Sequence, residues 1–194
     1  MREKIFVYVL VGIILAFQFY QIQDLKFLIR DQNIGKTFDG DEKNFDELKF
    51  LSCTIPLEGE GIIVEIDDSL QKNKSGENEN LYVVHDDDIL RIVNELRAAG
   101  AEAISINGQR LTATSEIRCA GPTISVNNVR SSAPYKISAI GEKKSLENAI
   151  KMRGGVEESL KVWGIQLQIE ISDKIFIPAY DREIHHKFAK LKSD

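Results

Sequence analysis

The sequence predicts an α+β fold: a mixed β-sheet packed by helices on one face, preceded by an N-terminal transmembrane helix. Three observations carry this. Ile165, Leu167, Ile169 and Ile171 alternate with Gln166, Gln168, Glu170 and Ser172, the period of a strand with one face in a core and one in water. Ile89, Val93, Leu96 and Ala99 recur at helical spacing between two strand-like runs, Gly61 to Ile66 and Ala103 to Ile106. Ile5 to Phe17 is apolar apart from Gly12 and follows Arg2 and Lys4.

That first run is slightly shorter than the ~20 residues that comfortably span a bilayer. Tyr8 and Tyr20 suit the two interfaces. Lys26 and Arg30 follow the run, so flanking charge alone does not orient it. A short charged stretch before a first apolar run behaves as a signal, and no small-x-small cleavage pattern surrounds Ala16. An uncleaved anchor over residues 1–22 is expected, with the N-terminus cytoplasmic and the domain extracytoplasmic. Residues 23–53 read as a short helical stalk, in which Phe45, Leu48 and Phe50 form a weak helical patch.

The α+β domain is expected over 54–180. Ile62, Val64 and Ile66, with Ile63 and Glu65 between them, predict a strand. Residues 71–80 are polar and read as a loop. Asp86 or Asp87 is the expected N-cap of the next helix, where carboxylates meet the positive end of the helix dipole, and Gly100 is its expected stop. Ala103 to Ile106 returns as a strand and ends at the turn Asn107-Gly108. Strand–helix–strand favours parallel pairing through a right-handed crossover.

Thr123 to Val126 and Lys136 to Ile140 predict further strands, with Asn127-Asn128 as a break. Leu146, Ala149 and Ile150 predict a helix, Gly154-Gly155 a break, and Val156, Leu160 and Trp163 another helix. After the alternating strand, Ser172-Asp173-Lys174 reads as a hairpin-like turn into Ile175 to Pro178. Residues 181–194 form a charged tail.

Composition excludes several functions. The net charge of −5 over 194 residues is spread among interspersed acids and bases, so a nucleic-acid partner is not expected. Two cysteines, Cys53 and Cys119, are too few for a disulfide framework; they could form one bridge in a domain outside the cell, but free, largely buried thiols are the expectation. His85-Asp86-Asp87-Asp88 fits a helix start rich in carboxylates better than a metal cluster, and His185-His186 is an adjacent pair in the tail. No metal and no cofactor is expected. No GxxxxGK[ST], GxGxxG or G-x-S-x-G pattern occurs, and Cys119 has no base beside it in sequence. A catalytic site is therefore not expected, unless the fold pairs Cys119 with His85.

The polar residues that exceed a surface loop's needs lie between Asn107 and Cys119. Asn107, Gln109, Arg110, Thr114, Ser115, Glu116 and Arg118 are the candidate ligand-binding or partner-binding residues, with Asn94 and Asn127 as further polar positions. In a strand, Glu116 and Arg118 share a face and could pair as ions. The same residues equally suit a satisfied network that holds irregular backbone.

Leu90 to Asn127, LRIVNELRAAGAEAISINGQRLTATSEIRCAGPTISVN, resembles the domain-of-unknown-function family 881. Ala139 to Val156, the closing Ile177 to Tyr180 and the opening Gly61 to Ser69 agree with it. The family includes the YlxW-type membrane proteins of Gram-positive bacteria, often labelled division initiation proteins. The resemblance implies a single-pass protein with an extracytoplasmic α+β domain, tied to division or envelope machinery. It implies no established catalytic residues. The expected role is a non-enzymatic interaction module, or alternatively a sensor for a small envelope-derived ligand. Expected partners are the membrane, other envelope or division proteins, and a second copy of the chain.

Overall fold

The computed structural model describes residues 46–71, 78–182, 188 and 189. The chain divides into two compact units, Met1–Lys49 and Phe50–Asp194. The expected anchor over 1–22, most of the stalk and part of the tail lie outside the described residues. Among the described residues no helix is long and apolar enough to cross a membrane. A short helix, α1, occupies 46–51.

The second unit is an α+β domain. Its elements are β1 (Leu57–Asp67), a 3-10 turn (Glu79–Tyr82), α2 (Asp86–Ala98), β2 (Ala103–Ile106), β3 (Gln109–Arg110), β4 (Ile117–Cys119), β5 (Ile124–Val126), β6 (Val129–Ser131), β7 (Tyr135–Ile140), α3 (Lys143–Ile150), α4 (Val156–Val162) and β8 (Gln166–Ile177). A five-stranded sheet runs β3-β2-β7-β1-β8, and a second sheet runs β4-β5-β6.

The expected mixed sheet is corrected: every strand pair is antiparallel. β1 and β2 do run parallel, as the strand–helix–strand reading requires, but β7 lies between them. β7 and β8 are parallel in the same way, split by β1. This is the doubly split βαβ arrangement of ferredoxin-like domains. The helical crossover satisfies chain direction without dictating which strand becomes the neighbour. The small sheet is an insert between β2 and β7.

Strand pairing sorts the side chains. Ile62, Val64 and Ile66 of β1 share a face with Ala139, Ile137 and Tyr135 of β7. They pack with Ile89, Ile92 and Leu96 of α2, Leu146 and Ile150 of α3, and Leu160 of α4 in one core. Each fully buried isoleucine contributes roughly 1.5–3 kcal/mol. The opposite face has a smaller cluster of Ala103, Ile140, Ile175 and Ile177.

Gly61 is dictated by close approach. A Cβ at this position would lie 2.0 Å from the Ala139 carbonyl oxygen. Nearby, β1 pairs Gly59 with Ile175 and Gly61 with Ser172, so Asp173 and Lys174 face Glu60 alone. The expected turn at Ser172-Asp173-Lys174 is therefore a two-against-one bulge inside a continuous twelve-residue strand. Polar residues permit a bulge as readily as a turn, and pairing with the long β1 decides between them. Lys143 reaches both Asp173, at 2.5 Å, and Glu60, at 3.0 Å, across it. These bonds, that to Asp173 first, push the Lys143 ammonium up to about 12.

α2 ends as expected at Gly100. Ala101 N–H donates to the Leu96 carbonyl and Gly100 N–H to that of Arg97, the paired bonds of a Schellman stop. Its start differs by one residue. His85 holds the N-cap position, and the Asp88 carboxylate accepts the His85 backbone N–H at 3.0 Å. Asp86 is instead used across the fold, as described next.

Candidate functional site

The Asn107–Cys119 segment is drawn into two hairpins and a turn. Asn107-Gly108 joins β2 to β3 with φ of 46° and 78°, the two positive values of a type I′ turn. The Asn107 carboxamide also accepts Lys136 N–H at 2.7 Å and donates to the Ser131 hydroxyl at 3.2 Å. At the following turn, Ser115 Oγ accepts Thr112 N–H at 2.8 Å, and the Thr112 hydroxyl lies 3.2 Å from those of both Thr114 and Ser115. These residues hold irregular backbone.

The Glu116–Arg118 ion pair does not form. β4 begins at Ile117, so Glu116 stands outside the strand alternation. Both side chains turn to Asn128. Glu116 accepts its backbone N–H, and Arg118 Nη2 donates to its Oδ1 at 3.2 Å. Asn127 and Asn128 have φ of 51° and 59°, a second I′ turn, between β5 and β6.

The candidates therefore divide rather than converge. Asn107 ties a turn to β6 and β7, Gln109 is half-buried, and Thr114 and Ser115 hold a turn. Glu116 and Arg118 meet at Asn128. Arg110 turns inward and is only 3% exposed. Its Nε and Nη1 are buried without hydrogen-bond partners, while its carbonyl accepts Asn127 Nδ2 at 2.9 Å. Asn94 is exposed on α2.

The insert adds a residue that sequence reasoning missed. Its register places Arg118, Ser125 and Arg130 on one face, with Ile117, Val126 and Val129 on the other. Val126 and Ile124 enter the main core, so the arginines face outward. Ser125 lies between them and is buried, while Arg118, Asn128 and Arg130 are exposed. The Asn127-Asn128 turn was the available signal: hairpin alternation through it aligns Arg130 with Ser125.

A cleft of ≈ 500 Å³ opens where the end of β1, the start of α2 and the insert meet. Asp68, His85, Cys119 and Tyr135 line it. A reciprocal clamp closes one wall: the Asp86 carboxylate accepts Cys119 N–H at 2.7 Å, and Cys119 Sγ accepts Asp86 N–H at 3.4 Å. The Cys119 backbone N–H, chief among its partners, holds Asp86 below the usual carboxylate range.

Cys119 and His85 both line the cleft, the one pairing that would suggest a nucleophile. No hydrogen bond joins them among the described residues. Partial burial, with the Asp86 and Asp87 charges nearby, pushes the Cys119 thiol up. Burial likewise raises Tyr135. A nucleophilic cysteine needs the opposite shift. Both cysteines are free; Cys53 is half-buried and Cys119 exposed, which corrects the expectation of largely buried thiols. His85, Asp87 and Asp88 bring potential ligand atoms within 4.8 Å of one another. The Asp88 carboxylate is already committed to the helix cap, and burial raises its pKa.

A split βαβ framework bearing a three-stranded insert with outward arginines defines a small α+β module. The chain belongs to the family described as bacterial protein of unknown function (DUF881), whose model matches residues 44–190. It is similar to UPF0749 protein YlxW of Bacillus subtilis (strain 168), 39% identical over 116 residues, covering 60% of this chain and 50% of that protein. UPF0749 protein Rv1823 of Mycobacterium tuberculosis (strain ATCC 25618 / H37Rv) is 29% identical over 155 residues, covering 75% and 50% respectively. The chain spans about half the length of the curated relatives it matches. The crystal structure of an uncharacterized conserved protein from Mycobacterium tuberculosis aligns with a TM-score of 0.62 at 26% identity, covering 77% of this chain and 99% of that one.

Proposed function

We propose that this protein is a non-enzymatic interaction module, held at a bacterial membrane by one N-terminal span. Its α+β domain lies on the extracytoplasmic side and serves cell division or envelope assembly. The observation that carries the interaction reading is the outward face of the insert. Arg118 and Arg130 stand exposed in register on either side of Ser125, with Asn128 beside them, on a chain of net charge −5. Arginine is favoured at recognition surfaces because its planar fork binds carboxylates with defined geometry. The partner surface is therefore acidic. The apolar Ile5–Phe17 run supports the membrane placement, and an anchor raises the local concentration of the domain beside membrane partners.

Proximity labelling in living cells, with a tag at the C-terminus of the full chain, tests placement and neighbours together. Labelling only by cytoplasmic reagents overturns the orientation. Charge reversal by the double change Arg118→Glu and Arg130→Glu should lower crosslinked partner recovery at least fivefold. Unchanged recovery from a normally folded variant removes the insert as the interface.

A second reading is favoured by the ≈ 500 Å³ cleft, which is the size of an ordinary small-molecule site. There the domain senses a small envelope-derived ligand. Thermal shift of the full chain against cell-wall fragments tests it, and a complete lack of stabilisation argues against it.

A further inference from the structure

Arg110 presents a problem that neither reading uses. It ends β3, paired with Ser105 on the sheet face away from the main helical core. A guanidinium stays charged at any physiological pH, and removing it from water is costly unless it is paired. Buried arginines are accordingly almost always partnered. Here the side chain is 97% buried, taken from its 3% exposure, yet Nε and Nη1 have no protein partner. Arg110 is nevertheless among the residues that line a cleft of ≈ 160 Å³.

The cleft has a defined chemistry. Arg97 and Arg110 are its cations and Glu102 its single acid, leaving one surplus positive charge. Leu51, Ala101 and Leu111 contribute apolar wall. The volume corresponds to roughly five waters of liquid at ~30 Å³ each. From these facts we infer that the cleft over Arg110 binds one carboxylate carried on a short apolar stem. A carboxylate monoanion matches the surplus charge and the planar donor fork. A phosphate dianion would overbalance the charge and leave the apolar wall unused. The bearer is either a free short-chain acid or a carboxylate on a polypeptide. This site is on residues separate from the insert's outward face, so it stands or falls independently of the proposed function.

The test uses the full chain in detergent micelles at constant ionic strength, with two-dimensional NMR of arginine Nε–H groups. Butyrate, inorganic phosphate, and a tripeptide with a free or an amidated C-terminus are titrated in turn. Saturable displacement of the Arg110 Nε–H signal by butyrate or by the free-carboxylate peptide, but not by the amide, supports the site. Tighter binding of butyrate points to a free acid. Tighter binding of the free-carboxylate peptide points to a polypeptide source. Arg110→Lys, which loses the planar fork, should weaken binding at least tenfold. Should that variant fail to fold, the exposed change Arg97→Glu leaves the core intact and should also weaken binding at least tenfold. The inference is overturned if no carboxylate saturates the signal, if phosphate binds as well as butyrate, or if Arg97→Glu leaves affinity unchanged.

Discussion

In the framework sheet, β1 pairs with β7 along Gly61–Ile66 and with β8 along nearly its whole length. In the insert, β4, β5 and β6 are three residues each. Strands so short gain little from their own ladders. The framework is held by aliphatic side chains stacked in register under three helices. The insert is anchored in that core by Ile124 and Val126, and its loops are held by side chains that bond specific backbone atoms: Asp86 to Cys119, Glu116 to Asn128, Asn107 to Lys136 and Asn127 to Arg110. Apolar burial scales with area and tolerates exchange among residues of similar volume. A side-chain-to-backbone bond needs one atom in one place. The framework should therefore accept conservative change, whereas the insert should lose its local order when a single polar group is removed.

The comparison can be broken first at the framework's tightest point. Gly61→Val places carbon against the Ala139 carbonyl and should cost at least about 3 kcal/mol, read by urea unfolding of the full chain in micelles. A loss under about 1 kcal/mol would mean that β1 and β7 separate easily. Next, Ile137→Ala in the core should cost about 3 kcal/mol, whereas Val129→Ala on the insert, at a site 39% exposed, should stay within about 0.5 kcal/mol. Equal costs would erase the distinction between the regions.

Asp86→Ala removes the clamp between α2 and β4 and should cost about 1–2 kcal/mol. Hydrogen exchange should accelerate at the Cys119 amide and not along β1 and β7; uniform acceleration would show that insert and framework open as one unit. The smallest effect is on pH dependence. The Asp86 pKa is depressed in the folded state, so its charge adds stability above the ordinary carboxylate pKa and loses it as pH falls through the folded value. The stability gap between the wild-type chain and Asp86→Asn should therefore close below about pH 4. A gap that persists at lower pH would mean that the carboxylate's charge is not what matters there.

Much of the framework was legible before folding was considered. The α2 face and its Gly100 stop, the Asn107-Gly108 turn and the aliphatic runs of β1 and β7 each depend on a window of a few residues. The bulge at Asp173 and Lys174 was not, because Ser172-Asp173-Lys174 has turn composition and only the facing β1 keeps it extended. The candidate site was legible as composition but not as arrangement. The sequence marks Glu116 and Arg118 as a pair, and they do meet, yet through Asn128 rather than with each other. Arg110 carried no local mark that separates a buried guanidinium from a surface one.

By itself the sequence determined the membrane-like first run as a pattern, the α+β class, the Gly100 stop of its main helix and the membership of its polar segment. Those follow from short-range rules: period, caps and turns. Tertiary structure alone decided that β7 enters between β1 and β2, that Asp86 clamps Cys119 33 residues away, and that Arg110 is enclosed. Each of these is a choice among distant partners. It is settled by which arrangement buries the aliphatic faces and satisfies the backbone together, a condition no local window contains.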